Sequence, residues 1–374
     1  SVAVTSLPAP PRVPVAANAS GSSGPSGRRI SFALWSHFLT PVRGNWAAIR
    51  NFLVWMRDSG QPVDFEFVKC EALTGCYNES KGLPDVLGIV AMGNRGKPRH
   101  SDVQFIPWVR ETLKRRAIWF LLADEWCEWK GPGLYHSDLV LKTYYHENLV
   151  RPKHVKAPPG ALPQPRPGQI RYLPLGASHR FPLPNKSPAL PVAQRKYLFN
   201  YMASTNTAET RKVLRGIVEE MNKTWTASQG IFQHYTQHWS GGYQTSAGYM
   251  EPEDFSAVMQ QSVFTLTPFG HAMETFRMWE ALQSGSIPVL QHPKVDPACG
   301  HSLAGFMLKA GGIEPPLLFV KDWGELPELM QKAAANIAAY QERQDRVLQW
   351  QQALKGQLYG DLWGKIKSLG LERL

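Results

Sequence analysis

Phe264-Thr265-Leu266-Thr267-Pro268-Phe269-Gly270, with Glu274-Thr275-Phe276-Arg277, Glu280-Ala281 and Gly285-Ser286-Ile287-Pro288-Val289 after it, is the stretch whose reading decides the fold. It reads as strand, tight loop, helix, stop, strand. The first apolar run ends at a Pro/Gly turn, the turn opens into a helix, Gly285 closes that helix, and a second apolar run begins at Ile287. A helix that opens directly from a strand offers free backbone N–H groups and the positive end of its dipole to a phosphate. Glu274 and Arg277 are three residues apart, which places them on one helix face. A carboxylate suits ribose hydroxyls and a guanidinium suits a diphosphate.

The same alternation continues outward in both directions. Strands are expected at Ile30–Trp35, Val63–Val68, Val86–Met92, Arg116–Leu122 and Leu139–Tyr145, with helices over Trp46–Met56 and Ile106–Arg115. The uninterrupted apolar run at 117–122 suits a strand buried on both faces of a parallel sheet. Residues 151–192 are dense in proline and read as a crossing, with a short strand near Tyr172-Leu173. Beyond it come a strand from Lys196, a break at Ser204–Thr207, and a helix from Glu209 to Met221 that Thr207 would cap. A strand at Ile231-Phe232, a helix over Glu253–Gln261, a strand at Leu317–Val320 and long amphipathic C-terminal helices complete the pattern. Strands alternating with helices in both halves predict two α/β domains with mainly parallel sheets. The expected division is a flexible stem (1–29), an N-terminal domain with the Pro-rich crossing (30–190), a C-terminal domain (191–345) and a C-terminal helical segment (346–374).

With 374 residues and 43% hydrophobic content there is enough chain for two packed cores. The formal net charge of +11 favours an anionic partner: nucleic acid, a membrane surface or a phosphate-bearing substrate. No basic cluster reaches five residues, and no nucleic-acid motif occurs. There is no run of eighteen apolar residues, so no membrane span is expected within the chain. Residues 1–27 are mostly Pro, Ala, Ser, Gly and Val and suit a tether, such as the stem of a luminal enzyme whose type II membrane anchor has been removed. A cleaved transit peptide would leave a similar start. Asn-X-Ser/Thr sequons begin at Asn18, Asn78, Asn185 and Asn222 and agree with a Golgi, ER-luminal or secreted location rather than a plastid. The four cysteines, Cys70, Cys76, Cys127 and Cys299, allow three complete disulfide pairings and lack zinc spacing.

The Pro-x-Gly turn, the Arg-x-x-Glu-Ala run (Arg277, Glu280, Ala281) and the Gly-x-Ile-Pro-Val run (Gly285–Val289) together resemble the C-terminal signature of exostosin-type glycosyltransferases, glycosyltransferase family 47. Cys299-Gly300, Phe319–Trp323 and Glu325-Leu326-Pro327, and more weakly Trp126-Cys127, are similar to the ribitol-phosphate xylosyltransferase branch of that family. The resemblance covers roughly residues 195 to 350. It implies a GT-B fold, in which two Rossmann-like domains face each other across a cleft. The N-terminal domain would bind the acceptor, and the C-terminal domain would bind a nucleotide sugar, most simply a UDP-sugar. Arg277 would hold the diphosphate, and Glu274 or Glu280 the ribose, although Glu274 stands where many members carry a serine. Thr267, Pro268, Gly270 and Thr275 would line the same loop. Thr205, Asn206 and Arg211 follow the first strand of that half, the usual place for a phosphate loop. The sequence contains no Asp-x-Asp, which agrees with a mechanism that needs no metal and no cofactor beyond the nucleotide sugar.

An inverting transfer also needs a base for the acceptor hydroxyl. Asp124 and Glu125 follow a buried strand directly, at the sheet edge where open α/β folds place ligands. His136 and His146 are the next candidates, and His271 lies in the loop before the key helix. Trp126 and Trp129 are the expected platform for a glycan or glycoprotein acceptor. Two other readings compete: a catalytically inactive glycan-binding partner subunit of the same fold, and a polyanion binder suggested by charge alone.

Overall fold

The structure is a computed structural model that describes residues 30–36, 46–61, 63–69, 86–92, 116–122, 137–143, 168–178, 180–182, 189–236, 249–270, 274–292 and 307–369. The first half builds a six-stranded sheet from β1 (Ile30–Ser36), β2 (Val63–Lys69), β3 (Val86–Met92), β4 (Arg116–Leu122), β5 (Leu139–Lys142) and β6 (Ile170–Tyr172), in the order β2-β1-β3-β4-β5-β6. The second half builds a five-stranded sheet from β7 (Tyr197–Ser204), β8 (Gly230–Thr236), β9 (Ser262–Leu266), β10 (Ile287–Gln291) and β11 (Leu318–Val320), in the order β8-β7-β9-β10-β11. Every strand pairing within these two sheets is parallel. Both sheets share the order 2-1-3-4-5, with the sixth strand added at the far edge of the first. Each therefore reverses direction once, between β1 and β3 and between β7 and β9. Open α/β sheets bind ligands just beyond the carboxyl ends of the strands at such a switch point.

Strand β4 shows why the sheets bury both faces. Ala117 and Trp119 point into one core, while Ile118, Phe120 and Leu122 point into another, and all five are fully buried. The first core is the larger and joins that face of the N-terminal sheet to the interior of the C-terminal domain. The second is closed by helix α1 (Trp46–Asp58), whose Ala48, Ile49, Phe52 and Met56 recur at helical spacing on its buried side. The C-terminal domain adds α2 (Glu209–Thr224), α3 (Pro252–Gln260), α4 (Phe276–Gln283) and α5 (Leu326–Ala335).

The last helix, α6 (Gln341–Ser368), belongs to both halves. Val347, Trp350, Leu354 and Leu358 pack into the first core, and Tyr359, Leu362, Trp363 and Ile366 into the second. Its apolar stripe turns from one partner to the other at Leu358-Tyr359, where the Tyr359 ring lies 5.5 Å from Phe52 of α1. The C-terminal segment expected from residue 346 is thus continuous with a helix that starts at Gln341 and packs against both sheets.

Most expected elements are present with shifted ends. The run from Leu139 leaves the sheet after Lys142, and the strand from Lys196 continues to Ser204. Thr207 does not cap α2. Residues Thr205–Thr207 form a single 3-10 turn, Ala208 takes the cap position, and the Thr207 hydroxyl donates to the Ser204 carbonyl at 3.0 Å instead. The expected helix at 106–115 lies outside the described residues.

Candidate functional site

The carboxyl ends of β7 and β9 flank the C-terminal switch point. Strand β7 passes into Thr205–Thr207 and then α2, while β9 passes into Thr267–Gly270 and leads to α4. The local sequence explains each turn. Thr267 returns both its amide and its hydroxyl to the Val289 carbonyl of β10, each at 2.9 Å, so it closes the end of β9 against its neighbour. Pro268 follows, buried, and turns the chain out of the sheet. Thr275 caps α4, its hydroxyl accepting the Met278 amide at 3.3 Å. At the other end Gly285 adopts φ +65°, the left-handed conformation that lets the chain leave the helix and enter β10.

Arg277 lies in the first turn of α4. Its guanidinium stacks over the Phe255 ring of α3 at 4.8 Å, and its Nε is 3.9 Å from the Glu280 carboxylate. That Nε has no hydrogen-bond partner among the described residues. Burial, opposed by Glu280 and aided by the positive charge of Arg211, brings the guanidinium pKa down to about 10. Arg211 comes from the first turn of α2, where its Nη1 donates to the Thr207 hydroxyl at 2.8 Å. A Cβ on Gly270 would approach Arg211 Nη2 to 3.3 Å, so the small residue lets the β9 loop lie against that guanidinium. Tyr201 of β7 feels both arginines and donates its hydroxyl to the Arg211 carbonyl at 2.9 Å. Two partly buried guanidiniums and a helix N-terminus thus meet at one switch point. Such an arrangement is unfavourable when empty and is relieved by an anion with two or more negative oxygens.

The two acids of the motif face a different direction. Glu274 precedes the cap of α4 and does not sit on the helix face with Arg277, contrary to the expectation from their spacing. It is 3% exposed. Its Oε1 accepts the Tyr172 hydroxyl at 2.6 Å, the Leu175 amide at 2.7 Å and the Trp279 indole N–H at 2.9 Å. Burial pushes its acid up to about 7 against the pull of these three donors. Glu280, equally buried, accepts the Ser178 amide at 3.3 Å, and its acid is raised by burial although Arg277 opposes the shift. Both acids therefore hold the segment that leaves β6.

That segment is pinned from the other side by α1. Asn51 Nδ2 donates to the Ala177 carbonyl at 2.9 Å, and Arg50 Nη1 to the Phe181 carbonyl at 3.4 Å. Gly176, just before Ala177, has φ +69°, and a Cβ there would come within 2.2 Å of Asn51 Nδ2.

The remaining expected residues divide. Thr205 is buried, its hydroxyl donating to the Thr236 carbonyl of β8 at 3.4 Å, and Asn206 is exposed beside it. Asp124, Glu125, Trp126, Trp129, His136, His146 and His271 lie outside the described residues. Sequence reasoning missed Tyr201, Phe255, Tyr172 and Trp279. All four are apolar-pattern aromatics: Tyr172 and Phe255 find their partners on other elements, while Tyr201 and Trp279 bond residues 10 and 5 positions away across a turn. Among the described residues no cluster of His, Cys, Asp and Glu has the form of a metal site, and no helix is long and apolar enough to cross a membrane.

The chain is 27% identical over 289 residues to ribitol-5-phosphate xylosyltransferase 1 of Danio rerio, covering 73% of this chain and 61% of that protein. It is 29% identical over 196 residues to the protein of the same name from Homo sapiens, covering 50% of this chain and 41% of that one. The chain thus spans roughly half the length of the curated relatives it matches. Among solved structures, the catalytic domain of starch synthase IV from Arabidopsis thaliana bound to ADP and acarbose aligns with a TM-score of 0.56 at 8% identity, covering 91% of this chain and 99% of that one. An alpha-glucosyltransferase in complex with UDP and DNA aligns with a TM-score of 0.55 at 8% identity, covering 90% and 100%. These alignments show the fold, two Rossmann-like domains in the GT-B arrangement. Residues 178–368, just over half of the chain, match the family model described as the RXYLT1 C-terminal domain, and the chain belongs to that family.

Proposed function

We propose that this protein is an inverting glycosyltransferase that uses a nucleotide sugar, most simply a UDP-sugar. The observation that supports the reading is the meeting of Arg277, Arg211 and the α4 N-terminus at the β7/β9 switch point. As the bond from the anomeric carbon to the diphosphate breaks, negative charge grows on the leaving oxygens. Two fixed guanidiniums and oriented backbone N–H groups stabilise that charge without a metal. The acceptor hydroxyl attacks from the opposite face of the sugar, and a base removes its proton. Asp124 or Glu125, just past β4, is assigned that role from sequence position, with Trp126 and Trp129 as the acceptor platform. The names of the relatives favour a xylosyl group as the sugar and a ribitol phosphate unit as the acceptor. The sequons and the stem composition favour a Golgi or ER-luminal location.

Isothermal titration with UDP tests the donor site. Wild type should bind, and Arg277→Ala should weaken binding at least roughly tenfold, the loss of one charge-assisted pair. Binding that persists in EDTA supports the metal-independent reading, whereas loss in EDTA overturns it. Unchanged affinity in Arg277→Ala would remove that residue from the site.

A further inference from the structure

Glu274 is where the two chain segments that pass between the sheets come together. The first is the stretch leaving β6, represented by Tyr172 and Leu175, which both donate to Oε1. The second is α6 at Tyr359, the residue where that helix changes from one core to the other, and whose hydroxyl is pushed up by burial and by the charge of Glu274. The third neighbour is Trp279 of α4 itself. A carboxylate built to receive ribose hydroxyls keeps its oxygens accessible. Here Oε1 already accepts three protein donors, the residue is 3% exposed, and Oε2 is buried with no partner among the described residues.

We propose that Glu274 is a positioning residue: through Oε1 it fastens the start of α4, and with it Arg277, to the chain crossing between the two sheets. The consequence for donor binding rests on the glycosyltransferase reading above; the fastening itself does not. Arg277 then keeps its place at the switch point only while Tyr172 and Leu175 hold the turn before the helix. Two elements of different halves, strand β6 and helix α4, move as one piece.

The protonation state follows from the same geometry. Among the described residues, the titratable groups facing Glu274 are Tyr172 of β6 and Tyr359 of α6, and its remaining donors, the Leu175 amide and the Trp279 indole, are neutral. Among the described residues no cation pairs with it, and burial raises the acid from 4.5 to about 7, so below about pH 7 the folded protein favours the neutral form with its proton on Oε2. A raised folded pKa means that the stabilisation is complete below about pH 4.5 and is lost as pH rises to about 7. Glutamine keeps an acceptor oxygen in place of Oε1 and cannot ionise.

The experiment has a ligand-free arm and a ligand arm. Urea unfolding of wild type, Tyr172→Phe, Glu274→Gln, Glu274→Ala and the Tyr172→Phe/Glu274→Ala double variant gives the coupling between the two side chains. The proposal expects Tyr172→Phe to cost less in the Glu274→Ala background than in wild type. It also expects wild type to lose stability relative to Glu274→Gln as pH is raised from 5 to 7. Additive effects would overturn the fastening. In the second arm, UDP and 2′-deoxy-UDP are titrated into each variant. Positioning predicts that Glu274→Ala weakens both ligands by the same factor, roughly tenfold, that Tyr172→Phe weakens both in the same ratio, and that Glu274→Gln stays within about threefold of wild type. A loss confined to UDP would make Glu274 a ribose ligand. A loss of stability with both affinities unchanged would make it a strut with no bearing on Arg277. Either result overturns the proposal. If wild type binds neither nucleotide, the donor reading fails, and the ligand-free arm alone decides the fastening. Glu274→Gln and Tyr172→Phe are near-isosteric, so the test survives a Glu274→Ala variant that does not fold.

Discussion

Two buried ionisable side chains, Glu274 and Arg195, each make three hydrogen bonds that hold separate stretches of the chain together. Arg195 is the clearest case outside the site. It is 2% exposed, and its guanidinium donates to the carbonyls of Leu190 at 2.9 Å, Ser262 at 2.6 Å and Ser284 at 3.4 Å. It ties the incoming linker to the amino end of β9 and to the end of α4. Burial holds its pKa down to about 10, still well above neutral pH, so the charge is kept and the three acceptors share it. Arg195→Ala should cost on the order of 3 kcal/mol, because it strands buried carbonyls and opens space beside Gly285. Urea denaturation would check this, and a change under about 1 kcal/mol would show that water replaces the side chain. In the sequence Arg195 stands beside Lys196, and nothing local marks it for burial. Its burial depends on Ser262 and Ser284, which lie 67 and 89 residues away.

At the scale of the element, the strand–turn–helix of the motif is legible in its own residues. Apolar β-formers, Pro268 and Gly270, the capping Thr275 and the closing Gly285 each act on their near neighbours, so local sequence suffices. The boundary between loop and helix did not follow from spacing. Glu274 and Arg277 fit one helical face, but Thr275 takes the cap and leaves Glu274 outside the helix. Thr275→Ala should destabilise the fold by about 1 kcal/mol, the usual worth of a side-chain cap. It should leave UDP affinity within about threefold, because the hydroxyl is already spent on the Met278 amide. A loss beyond about tenfold would mean that the hydroxyl contacts the ligand as well.

Across the whole molecule, α6 joins the halves. Trp363 is 3% exposed in the second core, on the N-terminal side of the crossover, although it lies in the last helix of the chain. Trp363→Ala should cost about 3–5 kcal/mol by emptying that core. Because the cavity lies against α1 and the N-terminal sheet, UDP affinity measured on protein that remains folded should be nearly unchanged. A collapse of UDP binding would mean that the second core reaches the switch point. The same crossing logic makes Gly176 and Asn51 partners, since only a residue without a Cβ fits between the Asn51 amide and the turn it holds.

The sequence by itself determined the fold class, the strands and helices of both halves that the structure describes, and the motif that opens α4. Those features rest on hydrophobic periodicity and turn chemistry, which act over a few residues. It also marked Arg277, Arg211 and Gly270, because each stands in the loop or first helical turn that follows a strand of the C-terminal sheet. Only the tertiary structure decided what the two acids of the motif touch and where α6 ends its packing. Glu274 meets donors about a hundred residues earlier in the chain, at Tyr172 and Leu175, and α6 changes cores at Leu358-Tyr359 without any break in its helical pattern. A buried carboxyl takes its role from the donors that reach it. Those donors are set by how the two sheets close on each other, and no local spacing encodes that.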